Sequence, residues 1–198
     1  GDYVVVETTG VPNHNSPYWV AGHPNYESPH SGMTVNPNTI TTQNFKFYIP
    51  LTPSAASSVS STPLGSIGVS LSGVPFFNQY AGPNNQPLDN EIATFDNYYG
   101  HPQQSGTYHY HWEPTYLTLA DNSILVGYSL DVFPVYGPTK QTDGQYPTDL
   151  DELNGHTAVT TEYPDGIYHY HATSTVPYLI GGFRGQIGSS GGGGYYTN

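Results

Sequence analysis

The chain has no cysteine, so neither a disulfide framework nor a thiolate metal site is open to it. Basic residues are nearly missing as well. Lys46, Lys140 and Arg184 stand against 15 acidic residues, and the formal net charge is −12. A phosphate backbone is bound by neutralising it with lysine and arginine, so the composition argues against nucleic acid and against an anionic membrane surface. No apolar run approaches the roughly 20 residues of a spanning helix, and no membrane span is expected. Charged residues of both signs make up only 9% of the chain, against about 25% in an ordinary globular protein. Cations are the natural counterpart of the charge that remains.

What the chain has in abundance is tyrosine (19), glycine (23) and proline (18). Proline and glycine interrupt helices, while tyrosine and threonine suit pleated, half-buried surfaces. The expected fold is all-β: an antiparallel sandwich or barrel of many short strands. Strand candidates are Tyr3 to Thr8, Thr39 to Ile49, Ser66 to Leu71, Val74 to Asn78, Thr94 to Asp96, Gly106 to Trp112, Tyr116 to Ala120, Leu125 to Leu130, Gly166 to Ala172 and Ile180 to Ile187. The pattern predicts one short helix near 148–155, with Thr148 as N-cap, acidic residues in the first turn and Gly155 as the stop. Residues 1–10 are expected to be an N-terminal strand or arm, 11–187 one β domain, and 188–198 a flexible Gly-rich tail; Pro53 to Pro63 is expected to be a polar connector. A chain starting at Gly1 without methionine is expected to be a mature chain whose export signal was removed.

The strongest chemical signal is a pattern that occurs twice: Gly106-Thr107-Tyr108-His109-Tyr110-His111 and Gly166-Ile167-Tyr168-His169-Tyr170-His171. Side chains alternate faces along a strand. His109 and His111 therefore share one face, as do His169 and His171, with the tyrosines on the other. Neutral imidazole is a common ligand for zinc, copper, nickel and iron. If the two strands are neighbours, four imidazoles converge on one ion; alternating His and Tyr can also simply pack a polar face. The 60-residue offset raises an internal duplication, with Gly100-His101 and Gly155-His156 ahead of the quartets at unequal distances.

Other side chains qualify as additional ligands. His14 and His101 sit in turns and can complete a site. Asp131 lies in an apolar strand, where a carboxylate must be paired or metal-bound; it is expected to orient or ligate at the histidine cluster, with Asp96 a weaker candidate. The acidic residues Asp143, Asp149, Asp151 and Glu152 offer oxygen ligands for calcium, without EF-hand spacing. Arg184 is expected to pair with a carboxylate. Tyr98, Tyr99, Tyr195 and Tyr196 can stack on sugars or on neighbouring subunits.

Several segments then combine in one order: Gly10-Val11-Pro12-Asn13-His14; Gly68-Val69-Ser70 through Gly73-Val74-Pro75-Phe76-Phe77-Asn78; Phe95-Asp96 with Gly100-His101-Pro102; Gly127 to Gly137; Leu150 to His156; the second quartet; and Pro177-Tyr178 with Phe183-Arg184-Gly185. In this order, from about Val5 to Gly185, the chain resembles the YHYH-domain proteins, a family of secreted proteins named for the quartet. Family members often carry glycine where this chain has Val132, and many carry cysteines, one of them at the position of Leu153. The resemblance implies an exported protein and leaves its activity open.

Two classes of function follow as expectations. The first is an exported β-rich structural or assembly protein, self-associating into an oligomer, filament or surface layer, with a histidine-rich site for a divalent metal (zinc or copper, with calcium at the acidic loops a lesser expectation). The second is a secreted metal-dependent hydrolase or redox enzyme using the paired quartets. No nucleophile elbow, phosphate loop or dinucleotide fingerprint is present.

Overall fold

The computed structural model describes residues 3–191. Within them the chain forms β1 (Tyr3–Thr8), β2 (Phe45–Pro50), β3 (Ala55–Ser60), β4 (Gly68–Ser70), β5 (Pro75–Phe76), β6 (Tyr80–Gly82), β7 (Gln86–Pro87), β8 (Gly100–Pro102) and β9 (Tyr108–Tyr110). One helical turn, α1 (Thr115–Thr118), leads to β10 (Leu125–Ser129), β11 (Pro134–Tyr136), β12 (Gly155–Ala158), β13 (Ile167–His171), β14 (Phe183–Gly185) and β15 (Ser189–Gly191). The fold is mostly β, as the composition implies. Eight short strands make one open sheet in the order β12-β13-β11-β10-β4-β5-β9-β8, so it is not a closed barrel. A second sheet, β1-β2-β15, packs on it through β2, whose Phe45, Phe47 and Ile49 are buried while Lys46 and Tyr48 alternate outward.

The large sheet is mixed. β5 pairs parallel with β9, and β11 parallel with β13. Parallel neighbours need a long crossover; residues 77–107 and 137–166 supply the two crossovers.

Several local expectations are corrected. No helix forms near 148–155. The Asp151 carboxylate accepts hydrogen bonds from the Leu153 and Gly155 amides at 2.9 and 3.0 Å, closing a tight turn that feeds straight into β12. An aspartate bonding to backbone two and four residues on competes with helix. Tyr116 to Ala120 begins in α1 rather than a strand, Thr94 ends a 3-10 turn, and the 39–49 candidate is a strand only from Phe45. The polar connector contains β3, paired with β14, and Ser189–Gly191 is an outer strand on β2 rather than flexible tail. The rest of the tail, with Tyr195 and Tyr196, lies outside the described residues.

The fold is built twice. β4, β5, β8 and β9 form one half of the large sheet; β10, β11, β12 and β13 form the other in the mirrored order. Gly68 to Asn78 superposes in pattern on Gly127 to Gly137, each a hairpin with a left-handed residue at its turn, Gly73 (φ +84) and Val132 (φ +68). Asp96 to His101 matches Asp151 to His156, again with a left-handed residue at the same place, Tyr99 (φ 61) and Asn154 (φ 66). Equivalent strands β4 and β10 pair antiparallel with Val69 opposite Tyr128, which are themselves equivalent positions. A local two-fold therefore runs through the middle of the sheet.

Candidate metal centres

The internal two-fold sends the quartets to opposite halves of the sheet. β9 and β13 are separated by β5, β4, β10 and β11, so His109 and His111 do not meet His169 and His171. The expected four-histidine site is not formed. Each pair instead gains a third histidine from the strand across the hairpin. His101 on β8 lies opposite His109, and His156 on β12 lies opposite His169. Directly opposed side chains on antiparallel strands have Cβ atoms about 5 Å apart, and residues i and i+2 share a face. The three rings of each group thus occupy three corners of one patch, all buried.

Their Nε2 atoms converge. His109 Nε2 stands 3.1 Å from that of His101 and 3.0 Å from that of His111. In the other half, His169 Nε2 is 3.1 Å from that of His156 and 3.1 Å from that of His171. The opposite nitrogen of every ring is committed to an acceptor. His109 Nδ1 donates to the Thr107 carbonyl at 3.0 Å and His111 Nδ1 to the Asn78 carbonyl. His169 donates to Ile167 at 3.0 Å and His171 to Gly137 at 2.7 Å. His101 donates to the Thr94 hydroxyl, 2.6 Å away, whose own proton goes to the Glu91 carbonyl. His156 donates to the Asp149 carboxylate at 2.9 Å.

A neutral imidazole has one N–H and one lone pair. With every Nδ1 donating, each group turns three bare lone pairs on one point. Burial pushes the basicity of His101 and His109 well below that of free imidazole, and that of His111, His169 and His171 down to about 4. Three converging lone pairs repel unless a cation sits among them, and donation from Nδ1 to carbonyl or carboxylate is how metal-bound histidines are oriented.

A second layer lies under each centre. The Tyr108 hydroxyl donates to Asp96 at 2.8 Å, and the Tyr168 hydroxyl to Asp151 at 2.9 Å. Each carboxylate also holds the amide of the glycine before the third histidine, Gly100 or Gly155. A Cβ at either glycine would run into the tyrosine ring; the bare backbone lets the ring lie flat across it and reach the carboxylate.

Other sequence candidates lie elsewhere. Asp131 is fully buried but on the tyrosine side of the sheet, where it accepts from the Tyr170 hydroxyl at 2.7 Å, the Gly185 amide at 2.8 Å and the Ser129 hydroxyl. It touches no histidine; the strand alternation that buries it also points it away from the imidazoles. His14 is likewise on the tyrosine side, accepting from Tyr110 at 2.9 Å and donating to the Asn15 carbonyl. Asp96 is an anchor for Tyr108 and for Ser16, again remote from the imidazoles. The acidic residues do not gather for calcium: Asp143 pairs with Lys140, Asp149 serves His156, and Asp151 caps its turn. Among the described residues Arg184 makes no ion pair; its guanidinium reaches the Ala56 carbonyl at 3.4 Å.

His156 is the triad member that sequence reasoning did not select. The Gly-His step before each quartet was its only signal, hidden by the different loop lengths between β8 and β9 and between β12 and β13.

A family model described as YHYH protein matches the chain over residues 46–148 and 139–185. No curated protein and no solved structure matches it.

Proposed function

The chain belongs to the YHYH protein family, and we propose that it is a metal-binding member whose two three-histidine centres each hold one divalent transition-metal ion, zinc or copper. The observation that carries this is the convergence of three Nε2 atoms in each half, each ring held from its Nδ1 side by an acceptor. Zinc ligands sit about 3.4 Å apart at the usual Zn–N length of about 2.1 Å. The observed spacings of 3.0 to 3.1 Å need open by only a few tenths of an ångström. All-nitrogen donor sets suit zinc, copper and nickel better than calcium or magnesium. Elemental analysis of protein purified without chelator or metal-affinity resin tests the reading. Two ions per chain are expected, one in His109→Ala and one in His169→Ala; a metal content no higher than trace sinks it.

One observation favours a further role in assembly. β1 is the outer strand of its sheet, and Tyr3, Val4 and Val5 on it are exposed. An open apolar edge is a template for a strand from another chain. On this reading the protein is exported, as the family resemblance implies, and self-associates outside the cell through β1, with surface tyrosines such as Tyr99 and Tyr146 available to sugars. Negative-stain microscopy of the full chain and of a chain lacking residues 1–10 separates the cases. Filaments or large oligomers that vanish with the deletion support it, and a monodisperse full chain removes it.

A further inference from the structure

The two centres match in their ligands and differ in what lies in front of them. At the first, Glu91 brings Oε2 to 3.5 Å from His101 Nε2 and 3.9 Å from His111 Nε2. A cavity of about 220 Å³ opens there, bounded by Asn36, Asn78, Tyr80, Glu91 and Gln103 beside the triad. No lysine or arginine lines it. At the second centre the cavity is about 20 Å³, room for a single water. Among the described residues no carboxylate comes within ion-pair distance of its Nε2 atoms; Asp149 holds His156 from the far nitrogen. One centre thus faces a chamber and a carboxylate on its Nε2 side, and the other faces neither.

We propose that the first centre is a ligand-taking site. Its ion presents an exchangeable position to the chamber, where a small uncharged hydroxyl compound places one oxygen on the ion and donates that O–H to Glu91. The second centre holds its ion structurally, with space for water alone. This inference rests on the metal reading above. Three protein nitrogens leave the fourth position of a tetrahedral ion open. Glu91 lies near two of the nitrogens but outside the mutually close set, which is the three histidines alone, so it stands beside the open position as a hydrogen-bond acceptor for what binds there. The ligand is a hydroxyl compound because the ionised Glu91 can only accept, so it favours an oxygen that brings its own proton over a carboxylate that brings none and would face it charge to charge. It is small because the chamber falls below the 300 to 1,000 Å³ typical of larger ligand sites; a compound of glycerol or pentose size fits.

The test uses the full chain loaded with Cu(II), with glycerol as the probe. Copper content is measured first, and a chain that holds no copper defeats the metal reading and this inference with it. In a chain holding two coppers, glycerol proton resonances are expected to broaden on titration, through proximity to the paramagnetic ion. His156→Ala, holding one copper, keeps the broadening; His101→Ala, also holding one, loses it. The retained copper shows that each variant is folded. Glu91→Ala is expected to keep both coppers and to weaken glycerol binding roughly tenfold or more, the worth of a hydrogen bond to a charged acceptor. The inference is overturned if a two-copper chain leaves glycerol unbroadened, if broadening follows the second centre, or if Glu91→Ala binds glycerol as the parent does.

Discussion

The Tyr108 hydroxyl donates to the Asp96 carboxylate at 2.8 Å, and both residues are almost wholly excluded from water. Its counterpart in the second half, Tyr168 to Asp151, has the same geometry in a solvent-accessible setting. A hydrogen bond to a charged group contributes about 1.5 to 3 kcal/mol when its loss strands a buried partner, and much less where water replaces it. Tyr108→Phe is therefore expected to lower stability by about 2 kcal/mol, and Tyr168→Phe by less than about 1 kcal/mol. Denaturant titration of both variants decides it; equal losses would show that burial does not govern this pair.

Gly100 and Gly155 act through the same tyrosines. A methyl group at either position collides with the ring that crosses it, and overpacking of this kind costs about 1 to 3 kcal/mol. The displaced ring also moves the strand that carries His101 or His156. Gly100→Ala is expected to weaken the metal affinity of the first centre and leave the second intact, with Gly155→Ala giving the reverse. Metal titration by calorimetry, with the two binding events resolved, reads this out. A uniform loss at both centres would mean that the halves are not independent.

Acid should unfold the metal-free protein through its histidines. His111, His169 and His171 have folded values of about 4 against an ordinary 6.5. As pH falls below about 6.5 the unfolded chain takes up protons that the folded chain refuses, so stability is full above that value and drains away towards pH 4. Metal loading displaces no proton from these neutral rings at pH 7, but below 6.5 protons compete for the ligands and the ion is released. A thermal-melting series across pH 4 to 8, with and without metal, is expected to show a plateau above 7 and a steep fall between 6.5 and 4. A flat profile in the metal-free protein rules out neutral buried triads.

How much of this was legible in the sequence depended on whether the signal was local. The quartets fixed which histidines face together, because strand alternation needs nothing beyond neighbouring residues. His101 was marked as a side chain that can complete a site, but its counterpart His156 was not, because the hairpin loops ahead of the quartets differ in length, residues 103–107 in one half and 159–166 in the other. Asp131 was rightly marked as a carboxylate that must be paired. Its partner turned out to be Tyr170, on the face opposite the imidazoles, since a one-residue change of parity sends a side chain to the other side of a sheet. The expected helix at 148–155 had every cap signal, yet Asp151 uses its carboxylate to close a turn instead. The Gly-His steps hinted at a repeat, but its hairpin half shows only in the backbone, where Gly73 and Val132 share one left-handed position.

That shared position gives the sharpest sequence-level prediction. Val132 has φ +68, in the region where a β-branched side chain is strained by about 1 to 2 kcal/mol. Its counterpart is Gly73, and glycine is also the residue that the family resemblance places there. Replacing alanine by glycine ordinarily destabilises by about 0.4 to 1 kcal/mol through the added freedom of the unfolded chain. At a left-handed position the order reverses, because alanine keeps the Cβ that causes the strain. Val132→Gly is expected to be more stable than Val132→Ala by roughly 1 kcal/mol, although both lose the buried valine side chain. At the matching turn, Gly73→Ala is expected to destabilise, since its Cβ also meets the Thr8 side chain. Melting curves of the three variants under one condition suffice. Val132→Ala proving the more stable of its pair would show that the backbone there is not held left-handed, and the equivalence of the two hairpins would fall with it.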